Sequence, residues 1–129
     1  MPGAPVAALL ARADARNGAR LFGPCSACHT VSQGAPDGNG PNLYGVLGAP
    51  IASNRPRFSY TYALRSVGGR WDVERMNAWL ENPQRFAPGT HMIFPGVHDA
   101  WERADLIAYL GTKGSRLPLP GSGPGTQGE

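Results

Sequence analysis

The sequence contains few of the residues that would support several common classes of protein. Only two of its 129 residues are cysteine, which excludes a disulfide framework built from four or more cysteines. No stretch reaches the roughly 18 apolar residues that a transmembrane helix needs. A single lysine, Lys113, and eleven scattered arginines give a formal net charge of only +3. Without a long basic run interleaved with aromatic residues, nucleic-acid binding is not expected.

Strand patterns are also scarce. Alternating apolar and polar residues are almost absent, whereas 18 glycines and 13 prolines punctuate the chain into loops. A chain of this length can form one domain with a modest core. Small loop-rich domains usually need an additional source of stability, such as a cross-link or a bound cofactor. We therefore expect an all-α fold that is held together by more than its own core.

The two cysteines, Cys25 and Cys28, are followed directly by His29 in a C-x-x-C-H motif. This spacing is the attachment signature of a c-type haem, because two such thiols can form thioethers with both vinyl groups of one porphyrin. The imidazole that follows can then coordinate the iron. A thioredoxin-type disulfide would need a βαβ pattern, and a structural zinc would need four ligands, which His91 and His98 do not supply at a suitable spacing. The motif therefore predicts one covalent haem c.

Capping residues and apolar spacing predict three helices. Asp14 is the expected N-cap of a helix over residues 15–22. A second helix is predicted over residues 72–82, ended by a proline, and a third over residues 99–110 after a capping-box pattern. The side chains expected to face inward are Ala19, Leu21 and Phe22 on the first helix, Val73, Met76, Trp79 and Leu80 on the second, and Ala104, Leu106, Ile107 and Leu110 on the third.

The composition divides the chain into three parts. Residues 1–13, rich in alanine and proline, are predicted to form an N-terminal linker, and residues 14–113 the haem domain. Residues 114–129, rich in glycine, proline and serine, are expected to be a flexible tail. Within the domain, residues 32–42 and 84–97 should be long loops.

Further motifs follow the haem motif in a fixed order. They are Gly-Pro-Asn-Leu-Tyr-Gly at 40–45, Phe-Ser-Tyr-Thr at 58–61, Trp at 71, Trp-Leu-Glu-Asn-Pro at 79–83, Pro-Gly-Thr-His-Met-Ile-Phe at 88–94 and Asp-Leu-Ile-Ala-Tyr-Leu at 105–110. In order and spacing the chain resembles the class I c-type cytochromes, the mitochondrial-like branch with bacterial relatives. The resemblance implies a cytochrome c fold, in which crossing N- and C-terminal helices, short helices and long loops surround one haem.

The sequence alone leaves the second axial ligand of the iron open among Met1, Met76, Met92 and the two spare histidines. Met76 lies on the apolar face of a predicted helix, where an ordinary core residue is expected. The resemblance implies that Met92, in the loop between two Pro-Gly turns, is the ligand opposite His29.

The resemblance also implies haem contacts for Pro41, Tyr60, Trp71, Trp79, Thr90 and Phe94. The carbonyl of Pro41 would accept the Nδ1–H of His29 and fix its ring. Tyr60 and Trp71 would hydrogen-bond one haem propionate, and the hydroxyl of Thr90 would lie beside the other. Phe94 would shield the haem edge on the methionine side.

Three positions depart from the family's pattern. Ala49 stands in place of an arginine near a propionate, so that charge is missing unless Arg55 or Arg57 supplies it. Leu64 replaces a polar asparagine, which makes the site drier. Trp79 replaces a tyrosine that contacts the methionine sulfur.

A His/Met pair fills both axial positions, so the resemblance implies a single-electron carrier and not an enzyme. The alternative is a haem enzyme, or a protein reactive toward gases or peroxide, with a displaceable methionine; His91 is the one nearby acid–base candidate. The carrier would act as a monomer in a periplasmic respiratory or photosynthetic chain. Its implied partners are a quinol-cytochrome c oxidoreductase-type donor and a terminal oxidase or reductase acceptor.

In the mitochondrial relatives a ring of positively charged residues steers docking, and few of its positions are basic in this sequence. Its positions are held by Pro24, Gln84, Arg85, His91, Val97, His98 and Asp99. The first residues also lack the basic start and apolar run of a signal peptide. We therefore expect a protein that is either soluble or tethered to the inner membrane, with an anchor preceding Pro2 as the favoured form.

Overall fold

Helices joined by long loops make up the chain in its computed structural model, which describes residues 5–55, 57–92 and 94–119. The helical elements are, in order, α1 (Val6–Leu10), α2 (Ala15–Leu21), a 3₁₀ helix (Gly23–Ala27), α3 (Tyr62–Arg65), α4 (Val73–Glu81), α5 (Pro83–Phe86) and α6 (Ala100–Gly111). Strand pairing in the described ranges is limited to an isolated antiparallel bridge between Pro50 and Arg70. The expected all-α class is confirmed. None of the described helices is long and apolar enough to span a bilayer.

Three aspartates begin the three helices that the sequence predicts. Asp14, Asp72 and Asp99 precede α2, α4 and α6, and each side chain accepts hydrogen bonds of 2.7–3.1 Å from backbone N–H groups two or three residues later. These bonds satisfy donors that a helix leaves unpaired at its start. The observed bounds agree with the predicted ones to within one residue at either end.

Helices α2 and α6 meet at Gly18. A β-carbon there would lie 2.0 Å from the carbonyl oxygen of Asp105, so only glycine allows the two backbones to approach this closely. The Asp105 carboxylate accepts hydrogen bonds from the backbone N–H of Asp14 at 2.7 Å and from the side-chain amide of Asn17 at 2.8 Å. The prediction that Ala19 faces inward is wrong, because Gly18 takes the buried position and Ala19 is exposed.

Residues 1–13 were predicted to be a linker, and this is wrong for the part that forms α1. Val6, Leu9 and Leu10 are buried in the main core, where α1 packs against α4 and α6. Their spacing of i, i+3 and i+4 places all three side chains on one face. A helix of five residues is too short to persist alone, so packing of this face stabilises it.

The predicted flexible tail begins with residues that pack against the protein, so that prediction is wrong for residues 114–119, here called the C-terminal strap. The backbone N–H of Arg116 donates to the carbonyl of Leu47 at 2.9 Å. Leu119 is buried against α6, where a β-carbon on Gly111 would lie 2.3 Å from its side chain. Residues 120–129 lie outside the described residues.

Two short helices add to the three that the spacing predicts, and one of them, α5, overlaps the start of the loop predicted over residues 84–97. The hydroxyl of Thr61 accepts the backbone N–H of Leu64 at 3.2 Å and begins α3. The side chain of Asn82 accepts the N–H of Arg85 at 3.1 Å and begins α5. Pro83 therefore ends α4 and opens α5, because the first position of a helix needs no N–H donor. The following loop begins after α5, three residues later than predicted.

We predict that Leu9→Ala lowers the free energy of unfolding by about 2–5 kcal/mol, because the side chain is 2% exposed and its removal leaves a cavity beneath α1. Denaturant unfolding followed by circular dichroism measures the change. Ala8→Ser, on the exposed face of the same helix, is the matched control and should change stability by less than about 0.5 kcal/mol. Equal effects of the two variants would show that α1 does not pack on the core in solution.

Candidate functional site

A single cavity of about 530 Å³ is bordered by all ten residues that the sequence assigned to a haem site. They are Cys25, Cys28, His29, Pro41, Tyr60, Trp71, Trp79, Thr90, Met92 and Phe94. Most of the lining is apolar, and among the described residues it contains no Asp, Glu, Lys or Arg. A largely apolar group of porphyrin size fits such an enclosure, whereas a charged substrate would be poorly solvated there.

The 3₁₀ helix directly after α2 brings the cysteine motif to this cavity. Its turns are closed by hydrogen bonds from the N–H of Cys25 to Phe22 at 2.8 Å, and from the N–H groups of Cys28 and His29 to the carbonyl of Cys25 at 3.1 and 3.0 Å. Burial raises the pKa of the Cys25 thiol, which favours its neutral form. The motif is therefore held on one compact turn, with both cysteines bordering the cavity.

His29 is fixed in orientation by the backbone of the following loop. Its Nδ1 donates to the carbonyl oxygen of Pro41 at 2.8 Å, which leaves Nε2 as the nitrogen with a free lone pair. Burial lowers the pKa of His29 and favours the neutral ring that metals bind. Gly40 leaves space for this ring, since a β-carbon there would lie 2.4 Å from Cε1. The donor set and the space around it fit an iron ligand.

Asn42 organises the loop that carries the Pro41 carbonyl. It is 2% exposed, and its amide nitrogen donates to the carbonyls of Ser32 at 2.9 Å and Ala35 at 2.8 Å. Its backbone N–H donates to the carboxylate of Asp37 at 2.7 Å. No role for Gly40, Asn42 or Asp37 was predicted from the sequence. An asparagine inside a Gly/Pro-rich loop is nevertheless a recognisable signal, because its side chain often hydrogen-bonds the backbone groups of the loop.

Neither arginine that could replace the charge missing at Ala49 borders the cavity. The Nε of Arg55 lies 2.9 Å from the carboxylate of Asp37 and forms an ion pair with it. Arg57 is exposed. The site is therefore lined by neutral polar groups where the resemblance implies a cation.

Tyr60 and Thr90 supply two of these neutral groups. The phenol oxygen of Tyr60 accepts the backbone N–H of Arg55 at 3.1 Å, so its own hydrogen remains available to a further acceptor. Burial raises the pKa of Tyr60, which keeps the phenol protonated. The carbonyl of buried Thr90 accepts a hydrogen bond from the side-chain amide of Gln84 at 2.8 Å, which ties the start of the methionine loop to α5.

Three aromatic rings pack together beside the cavity. Trp71 stacks on Phe86 with 5.5 Å between ring centroids, and its edge contact with Trp79 has a separation of 5.8 Å. Trp79 and Phe86 also meet edge to face at 6.0 Å. Both tryptophans were predicted to contact the haem. Phe86 was not, because it lies in α5, a helix that the sequence did not predict. This packing restricts the indoles that border the cavity.

Both described methionines border the cavity, Met76 from α4 and Met92 from the loop between α5 and α6. Met76 is 4% exposed, in keeping with its predicted core position, whereas Met92 is half-buried. The far end of the loop is held by buried Arg103, whose guanidinium donates to the carbonyl of Val97 at 2.8 Å. His91 also borders the cavity but is exposed, and Met1 lies outside the described residues.

The chain resembles known proteins in both sequence and structure. The sequence model of the family described as cytochrome c matches residues 15–113. A cytochrome c homolog from Bradyrhizobium diazoefficiens is 41% identical over 117 residues, 90% of this chain and 64% of the relative, so the chain spans less than two thirds of that protein. A cytochrome c2 from Rhodomicrobium vannielii is 38% identical over 107 residues, covering 83% of this chain and 85% of the relative. The solved structure of cytochrome cH from Methylobacterium extorquens has a TM-score of 0.73 at 40% identity, over 78% of this chain and 99% of that one.

We predict that Asp37→Asn lowers the free energy of unfolding at neutral pH by about 1–2 kcal/mol, because it weakens the charge-assisted bond from the Asn42 N–H. That bond is the largest single cause of the lowered pKa of Asp37, and the hydrogen bond and the charge of Arg55 lower it further. A carboxyl with a lowered folded-state pKa stabilises the protein above its unfolded-state pKa. This contribution disappears as the pH falls through the folded-state value.

The difference between the parent protein and Asp37→Asn should therefore be complete at neutral pH and shrink below about pH 4. Denaturant unfolding over this pH range measures it. Arg55→Gln is the matched control and should keep most of the pH dependence, because the Asn42 bond remains. A difference that stays constant down to acidic pH would contradict the assigned role of Asp37.

Proposed function

This chain belongs to the cytochrome c family, and on that premise we propose that His29 and Met92 are the axial ligands of its haem iron. Members of the family are electron-transfer proteins that carry one haem c attached through a cysteine pair, here Cys25 and Cys28. The expected cytochrome c fold is confirmed by the likeness to cytochrome cH. When bound, the haem supplies the exchange of one electron between Fe(III) and Fe(II).

The observation that carries the ligand assignment is the hydrogen bond from His29 to Pro41, because it presents Nε2 of a neutral ring to the cavity that Met92 also borders. A thioether sulfur is a soft and neutral ligand, which favours the reduced iron and gives a comparatively high reduction potential. The apolar lining acts in the same direction, because it disfavours the extra positive charge of the oxidised state.

The role of the protein in electron transfer is then to hold a rigid, dry site. With His29 and Met92 as its ligands, the iron would have no position open for a substrate. The methionine loop is fixed at its start by Gln84 and at its end by Arg103, and the three packed rings limit movement of the wall beside it. Small structural change between the two oxidation states is what rapid electron exchange requires.

We further propose that the carrier works in the periplasm, either free or tethered to the inner membrane. Its proposed donor is a quinol-cytochrome c oxidoreductase and its acceptor a terminal oxidase or reductase, in respiration or photosynthesis. The thioether chemistry of the cysteine motif and the likeness to a bacterial cytochrome c2 support this placement.

Met92→Leu should leave the haem attached and remove the weak near-infrared sulfur-to-iron band of the ferric protein, with a fall in reduction potential. Met76→Leu is the matched control, because Met76 borders the same cavity. It should keep both the band and a potential close to that of the parent protein. Optical spectroscopy and redox titration of the haem-loaded variants measure these effects.

Because exposed His91 is next to Met92 and could replace it, Met92→Leu/His91→Ala should be measured in parallel. Loss of the band in Met76→Leu and its retention in Met92→Leu would transfer the ligand assignment to Met76. Retention of the band in both variants would overturn the His/Met proposal.

A groove of about 390 Å³ beside the haem cavity provides the proposed docking face. Its lining includes Pro24, Phe94, His98, Asp99 and Glu102. His98, Asp99 and Glu102 are exposed. The described lining of the groove contains no lysine or arginine, unlike the positive ring that the resemblance implies. Docking through this face should depend on apolar contact more than on long-range attraction.

Association with an isolated oxidase should therefore slow only a few-fold between low salt and roughly 0.2 M, where the Debye length falls below about 10 Å. Stopped-flow kinetics over a salt series measures the rate. His98→Lys/Glu102→Lys should make the salt dependence steeper if the groove is the docking face. A hundredfold fall for the parent protein, or no change in salt dependence for the variant, would contradict this proposal.

A further inference from the structure

Asn54 borders the haem cavity and is held by partners on both sides of its side-chain amide. The amide nitrogen donates to the carbonyl of Tyr44 at 3.0 Å. The amide oxygen accepts a hydrogen bond from the guanidinium of Arg116 at 3.2 Å. An acceptor on the nitrogen and a donor on the oxygen both select the same orientation of the amide, so it is not free to rotate by half a turn.

The C-terminal strap places this guanidinium through backbone contacts. The N–H of Gly45 donates at 2.7 Å to the carbonyl of Lys113, which directly precedes the strap. Within the strap, the N–H of Arg116 donates to the carbonyl of Leu47 at 2.9 Å. Gly48 has a φ of 89°, and a β-carbon there would lie 2.8 Å from the Cβ of Arg116. The strap therefore lies directly on the loop that leads to Asn54. The Arg116 side chain is exposed, but its Cβ packs against Gly48.

The bound haem brings two carboxylates, its propionates, to a cavity whose described lining contains no arginine or lysine. Such groups must be stabilised by neutral donors, because an unpaired carboxylate in a dry site is costly. Asn54, Ser59, Tyr60 and Thr61 lie close together in sequence, and among the described lining residues they form the group richest in such donors. After its bond to Tyr44, the Asn54 amide nitrogen retains a second N–H.

We propose that Asn54 donates this second N–H to a haem propionate and that Arg116 is the positioning residue that holds the amide for it. The strap then contributes to the haem site, because the Arg116 guanidinium acts through the Asn54 amide from outside the cavity. This inference rests on the haem site described above, with the propionates beside Asn54, Ser59, Tyr60 and Thr61, but not on the identity of the axial ligands.

The test compares Arg116→Gln, Arg116→Lys and Asn54→Ala in the haem-loaded protein. Arg20→Gln is a matched control, because Arg20 makes the same arginine-to-amide contact with Asn17 on α2, and neither residue borders the cavity. Side-chain amide exchange in the diamagnetic reduced protein is followed by nitrogen-15 NMR, and the reduction potential by redox titration.

Exchange of the Asn54 side-chain protons should become about tenfold faster in Arg116→Gln, as expected for the loss of one hydrogen bond, and should recover in Arg116→Lys. The potential should fall further in Arg116→Gln than in Arg20→Gln, because a less neutralised propionate favours the oxidised iron. In the Asn54→Ala background the additional fall should disappear.

Equal shifts in the two arginine variants, or the same fall with and without Asn54, would overturn the proposal, because Arg116 would then act only as a distant charge. The near-infrared band separates this outcome from failure of the axial assignment. It reports Met92 and should be present in all of these variants.

Discussion

The hydrogen bond between His29 and the carbonyl of Pro41 is the interaction on which the site depends. It fixes both the tautomer and the plane of the imidazole, and it requires the loop after the cysteine motif to fold back over the ring. That return path explains why the loop contains a glycine at position 40 and a buried amide at position 42. Once this side is fixed, the remaining elements need only close the opposite wall of the cavity.

Much of this arrangement could be predicted, because its signals are local. The aspartate caps and the apolar spacing of α4 and α6 are short-range properties, and the helices formed where these patterns indicated. The cysteine motif predicts its own chemistry within five residues. The contact positions of the haem site came from the order of motifs, and all of them border one cavity, while their individual roles remain predictions.

What could not be predicted depends on contacts between distant residues. The apolar spacing in α1 is present in the sequence, but five helical residues become stable only when α4 and α6 cover them. Leu119 lies among prolines and glycines, and nothing local indicates that α6 offers a place for it beside Gly111. Arg116 and Asn54 are 62 residues apart, and no spacing rule connects them.

The contact at Gly18 has a consequence for the order in which the molecule is assembled. Asp14 and Asp105, which bond across this contact, are separated by 91 residues, so the two helices cannot meet until α6 has been synthesised. Bringing such distant segments together carries a large loop-closure entropy. Leu106 and Leu110 of α6 also border the haem cavity. We therefore expect the α6 wall of the cavity to close late in folding, which would leave the cysteine turn accessible from that side for thioether formation.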